Sequence, residues 1–83
     1  MRTTLVTGGS GYFGSILVED ALARGDTVRV LDLNPPGDEQ RGRVDHVPGD
    51  VRDRAAVRVA CDGVDLVLHN VAQVPLAKDR DLF

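Results

Sequence analysis

The sequence predicts an α/β chain: the first half of a doubly wound parallel sheet, in the order strand, helix, strand, strand, helix, strand. Three observations point there. β-branched runs alternate with segments of helical period, the first strand stops at a glycine cluster that opens a helix, and the second strand ends on an aspartate. Eighty-three residues suffice for one small domain. Hydrophobic residues make up 42% and charged residues 28%, a globular rather than a disordered mixture.

Thr3-Thr4-Leu5-Val6-Thr7 is short, β-branched and stopped by Gly8-Gly9, as suits a buried parallel strand. From Phe13 the period becomes helical: Phe13, Ile16, Leu17, Ala21 and Leu22 fall on one stripe, with Glu19, Asp20 and Arg24 toward water. Gly25 stands where a left-handed C-terminal cap belongs. Thr27 to Asp32 reads as a second strand, ended by Asn34-Pro35-Pro36-Gly37, where the prolines remove ladder donors. Asp38 to Arg43 has no apolar face and reads as a solvated loop. Val44 to Val47 is a weak third strand. Asp53 can cap a second helix whose inner face is Ala56, Val57, Ala60 and Cys61, closed by Gly63. Leu66 to His69 is a fourth strand.

Charge and cysteine content exclude several functions. Ten basic against thirteen acidic residues give a net charge of −3, spread over both halves, so phosphate neutralisation on a nucleic acid is not expected. One cysteine permits no internal disulfide and no cysteine-rich metal site. The apolar run after Met1 is too short for a secretion signal, and no stretch is long enough to span a bilayer, so a reducing cytoplasm is the expected setting.

Four of the nine glycines fall between Gly8 and Gly14, in Thr7-Gly8-Gly9-Ser10-Gly11-Tyr12-Phe13-Gly14. Strand before and helix after make this a phosphate-binding turn rather than a string match. Gly8 permits the sharp turn. Gly11 removes a side chain where backbone approaches a pyrophosphate, and Gly14 lets the helix sit close to the strand. The N–H groups of Tyr12 and Phe13 would then face the phosphates at the positive end of the helix. The plain alternative is a tight turn with no ligand. A nucleoside-triphosphate P-loop is excluded, because Gly14 is followed by Ser15 where that motif needs a lysine.

Asp32 lies eighteen residues after Gly14, near the offset of an acid that accepts the hydroxyls of an adenosine ribose. Such a carboxylate repels a 2′-phosphate, and Leu33 and Asn34 bring no cation to hold one, so NAD is expected over NADP. A strand-end aspartate capping its own turn is the alternative.

TGGSGYFG, VRVLD, Gly49-Asp50-Val51-Arg52-Asp53, Gly63-Val64-Asp65 and His69-Asn70-Val71-Ala72 occur in the order seen in extended short-chain dehydrogenases/reductases. The chain resembles the N-terminal part of an NAD-dependent epimerase/dehydratase, with a Rossmann-type sheet, over essentially all 83 residues. The resemblance implies that Asp50 meets the adenine amino group and that the backbone at Val51 completes that contact. It implies further that the strand end from His69 to Ala72 lies beside the nicotinamide ribose. Val71 departs from the family's usual His-x-Ala-Ala. Gly8, Gly11, Tyr12, Phe13, Gly14, Asp32, Asn34, Asp50, Val51, Val71 and Ala72 are thus the expected cofactor contacts, and no metal site is expected. His69 reads as a packed strand residue and His46 as exposed.

The family's chemistry uses a Tyr with a Lys four residues later. The sole Tyr is Tyr12, followed at that distance by Ile16, and the sole Lys is Lys78. Residues 1–83 therefore read as a partial NAD-binding domain, inactive alone, of an oxidoreductase whose full-length form acts on a nucleotide sugar. A hydroxysteroid-dehydrogenase-like or dihydroflavonol-reductase-like parent, or a non-catalytic dinucleotide-sensing module, are the alternatives. Oligomeric state is not legible.

Overall fold

A computed structural model describes residues 2–70. The chain runs β1 (Thr3–Thr7), α1 (Tyr12–Ala23), β2 (Thr27–Asp32), β3 (Asp45–Pro48), α2 (Arg54–Cys61) and β4 (Leu66–His69). All strands pair in parallel, in the order β3-β2-β1-β4. The expected sequence of elements is the observed one. β3 begins one residue later than expected, and its Pro48 pairs with Asp32 on an edge strand, where a missing donor is tolerated.

Strand alternation divides the core into two layers. Val6, Val28 and Val30 point to one face and pack with Val18 and Ala21 of α1. Leu5 and Leu31 point to the other and pack with Ala60 of α2, joined by Val47, Ala56 and Val57. The two helices therefore cover opposite faces, as right-handed crossovers on either side of β1 require. β1, with Thr4 through Thr7 buried, is the centre of the molecule.

The helix ends are set locally. Gly25 adopts φ +87 and donates its N–H to Leu22 O at 3.0 Å, closing α1 as expected. Asp53 caps α2 by accepting from Ala55 N at 3.0 Å. The last carbonyls of α2 receive Arg29 from the sheet, whose Nη1 donates to Ala60 O at 2.8 Å and Asp62 O at 2.7 Å.

Three expectations are corrected. Phe13 and Ile16 do not face the core: they are 69% and 51% exposed, and the buried ridge of α1 is Gly14, Val18 and Ala21. The first turn of α1 packs instead through Gly14 on Gly8 and Gly9, which follow β1. Gln40, in the supposedly solvated segment, is buried and ties the loop to α1 by donating from Nε2 to Ser15 O and to Glu19. His46 is half-buried, with Nε2 3.0 Å from Asp32 O.

Candidate functional site

In a parallel sheet all strands end on the same side, so their C-terminal turns converge. Gly8 after β1, Asp32 at the end of β2 and Leu33 beyond it, Gly49 to Arg52 after β3, and His69 at the end of β4 with Asn70 beyond it line one cleft of about 590 Å³. A second hollow of about 640 Å³ lies on the other flank of the glycine turn, beside Glu19, Asp38 and Glu39. The first cleft unites Gly8, Asp32, Asp50 and Val51, whereas Gly11 and Tyr12 line the second hollow, whose carboxylates oppose an anionic ligand.

The glycine turn is built from close approaches. Gly8 has φ +67, and a Cβ there would stand 2.3 Å from Asn70 O. A Cβ on Gly14 would stand 2.0 Å from Gly8 O, so α1 can start this close to β1 only with glycine. A Cβ on Gly9, which the sequence reads only as part of the strand stop, would stand 2.8 Å from Val30. Gly11 differs: its nearest neighbour would be Gly8 O at an ordinary 3.6 Å. No protein atom demands a glycine at that position, which is what a surface reserved for a ligand looks like.

Above Gly11 the helix begins without a side-chain cap. Its first amide to find a carbonyl is Ser15, donating to Gly11 O at 2.9 Å. Among the described residues the amides of Tyr12, Phe13 and Gly14 have no partner, leaving three donors at the positive end of α1. The Tyr12 and Phe13 side chains point to solvent and meet edge-to-face, 5.3 Å between centroids.

Asp32 organises this turn. One carboxylate oxygen accepts from Ser10 N at 3.0 Å and the other from Asn34 N at 2.9 Å, while Ser10 Oγ donates to Asn34 O at 2.8 Å. Asn34 thus enters through its backbone. The Asp32 carbonyl accepts from Gly49 N at 3.2 Å and contacts His46, which pins the ends of β2 and β3 together. Ser10 and His46 were missed because side-chain-to-backbone ties across 14 to 24 residues leave no periodic trace.

On the far wall, Asp50 accepts from Arg52 N at 2.9 Å and from the Arg52 guanidinium at 2.7 and 3.1 Å. Those bonds, with the adjacent positive charge, lower the Asp50 pKa to about 2. The carboxylate is therefore a charged acceptor at neutral pH. Leu33 and Val51 offer exposed apolar surface beside it. His69 is exposed rather than packed, with Nδ1 2.8 Å from Thr7 Oγ1. The structure thus joins Gly8, Asp32, Asp50 and Val51 in one cleft beside the Gly11–Gly14 turn. Val71 and Ala72 lie outside the described residues.

A dinucleotide fits this arrangement: the open face at Gly11 and the free amides suit a pyrophosphate, and the carboxylates suit hydroxyl and amino donors. A central parallel strand, helices on both faces and a glycine turn at a helix start define a Rossmann-type unit of the short-chain dehydrogenase/reductase kind. The chain belongs to the 3-beta hydroxysteroid dehydrogenase/isomerase family, whose model matches residues 5–81. It is 55% identical over 83 residues to uncharacterized protein y4nG of Sinorhizobium fredii, covering 100% of this chain and 21% of that protein. It is 38% identical over 81 residues to sterol demethylase protein B of Methylococcus capsulatus, covering 95% and 24%. The structure of Thermus thermophilus UDP-glucose 4-epimerase in complex with NAD superposes with a TM-score of 0.72 at 39% identity, over 88% of this chain and 25% of that one. The chain thus spans about a fifth to a quarter of the length of these relatives.

Proposed function

We propose that this chain binds NAD and forms the cofactor-holding part of an NAD-dependent oxidoreductase acting on a secondary hydroxyl. The observation that carries it is the turn at Gly11, open where no protein atom needs the space and facing the free amides of Tyr12, Phe13 and Gly14. These hold the pyrophosphate, with Gly8 and Gly14 allowing the approach. Asp32 takes the adenosine ribose. Its two oxygens already accept Ser10 and Asn34 amides, but a carboxylate has about four acceptor positions, so two hydroxyls can still bond. Asp50 and the backbone of Val51 meet adenine between the apolar edges of Leu33 and Val51. By the family resemblance, Val71 and Ala72, outside the described residues, belong to the nicotinamide side. Bound NAD supplies a hydride acceptor, and this chain supplies its placement.

The substrate reading that fits the family model is a hydroxysteroid. The likeness to UDP-glucose 4-epimerase favours a nucleotide sugar as the second reading. Residues 1–83 hold no Tyr-x-x-x-Lys pair, so we assign proton transfer and substrate binding to other parts of a longer protein and expect no turnover from this chain alone. A reducing cytoplasmic setting suits a chain with one cysteine and, among the described residues, no helix long and apolar enough to cross a membrane.

Titration with NADH and NADPH tests the reading. NADH should bind about tenfold or more tightly, the equivalent of roughly 1–3 kcal/mol for a half-buried acceptor left facing an anion. Asp32→Ser should collapse the ratio. Equal affinities in the unsubstituted chain, or a ratio unmoved by Asp32→Ser, would overturn the assignment.

A further inference from the structure

The ends of β1 and β4 carry a hydrogen-bond chain that the proposed NAD contacts do not use. Asn70 N donates to Thr7 Oγ1 at 3.0 Å, and Thr7 Oγ1 stands 2.8 Å from His69 Nδ1. Thr7 is 3% exposed, so its hydroxyl has no bulk water to turn to. That hydroxyl has one proton, and one of its lone pairs is taken by the Asn70 amide. Among the described residues its remaining partner is His69 Nδ1. A proton on Nδ1 would point at Oγ1 and leave the hydroxyl proton buried without an acceptor. The hydroxyl therefore donates, Nδ1 accepts, and the ring proton resides on Nε2. His69 is exposed and lines the cleft, and its Nε2 has no partner among the described residues.

We propose that Thr7 locks His69 as the Nε2–H tautomer, making His69 a fixed donor to an oxygen on the nicotinamide side of the bound dinucleotide. Strand order gives the side: Asp32 and Asp50 follow β2 and β3, the phosphate turn follows β1, and His69 lies on β4 beyond it. Adenosine over β2 and β3 with phosphates over β1 leaves the distal phosphate and ribose above β4. His69 is then a binding residue, and Thr7 a positioning residue that acts through it. The proposal rests on the NAD-binding reading.

The test combines ring ¹⁵N–¹H correlation spectra with titrations of NADH and ADP, in the full 83-residue chain and in Thr7→Val, Thr7→Ser and His69→Gln. His46→Asn assigns the second imidazole. In the unsubstituted chain the His69 ring should show a proton on Nε2 alone, and that signal should shift with NADH but not with ADP. Thr7→Val should mix the tautomers and weaken NADH about tenfold while leaving ADP unchanged. Thr7→Ser and His69→Gln, which keep a hydroxyl and a donor, should restore most of the affinity. A proton on Nδ1 in the unsubstituted chain would overturn the proposal. So would equal weakening of NADH and ADP by Thr7→Val, which marks a purely structural role. If the unsubstituted chain binds neither NADH nor ADP, the NAD-binding reading itself falls and takes this proposal with it.

Discussion

Gly11 and Gly14 are three residues apart and are glycines for opposite reasons. Gly14 is dictated by the protein, because an added methyl would overlap Gly8 O at 2.0 Å. Gly11 has extended backbone (φ −82, ψ 179) that any residue adopts, and open space beside it. Gly14→Ala should therefore destabilise the chain by about 1–3 kcal/mol through overpacking. Gly11→Val should leave stability within about 0.5 kcal/mol and abolish NADH binding. Urea unfolding and NADH titration on the two variants read both effects, and a Gly11→Val chain that binds normally would refute the phosphate role. The close packing at Gly14 was legible in the motif's spacing, since strand–turn–helix context dictates it. Gly9 was not legible, because its reason is contact with Val30, and no local pattern announces a tertiary neighbour.

The two helices start differently, and the difference follows the site. α2 has the ordinary solution, Asp53 accepting from Ala55 N. α1 begins on a glycine with no side-chain cap, its first amides left for a ligand. Asp53→Ala should lower unfolding stability by about 1 kcal/mol and leave NADH affinity unchanged, because only a structural donor is orphaned. Equilibrium unfolding beside a cofactor titration checks both halves. Element order and nearly every boundary were readable, because β-branched runs ended by glycine or proline leave little freedom. What failed was the buried side of α1. Periodicity finds a stripe but not that the first turn packs through Gly14, so Phe13 and Ile16 were placed inward while Val18 was passed over. Gln40 failed for the converse reason: a buried amide whose NH2 donates to one carbonyl and one carboxylate has no hydrophobic signature.

At the scale of the molecule, the described residues form a four-stranded sheet with one helix on each face, and the cover is uneven. Val67 of β4 is 44% exposed and Val59 of α2 63%, while Tyr12, Phe13 and Ile16 form an apolar patch on the outside of α1. A parallel sheet is poorly suited to water on either face, and β4 offers an unpaired edge within the described fold. We expect a broad thermal transition for the 83-residue chain and binding of a hydrophobic dye, both reduced by NADH. Saturation at a hundredfold excess over Kd adds about 2.7 kcal/mol. Calorimetry with and without NADH decides: a sharp, reversible transition indifferent to cofactor would show that these faces need no further cover.

The two amides held by Asp32 bear on how cofactor preference can change. The carboxylate to which we assign the ribose is also the strut under Ser10 and Asn34, so on that reading selectivity and loop order are inherited together. A single exchange that removes its charge to admit a 2′-phosphate also releases the backbone that cradles the phosphates. An evolutionary or engineered route to NADP must therefore pass through a low-affinity intermediate, or first install another acceptor for the Ser10 amide. Libraries that vary position 32 alone should return weak binders of both cofactors, and productive switches should appear only as paired changes at 10 and 32.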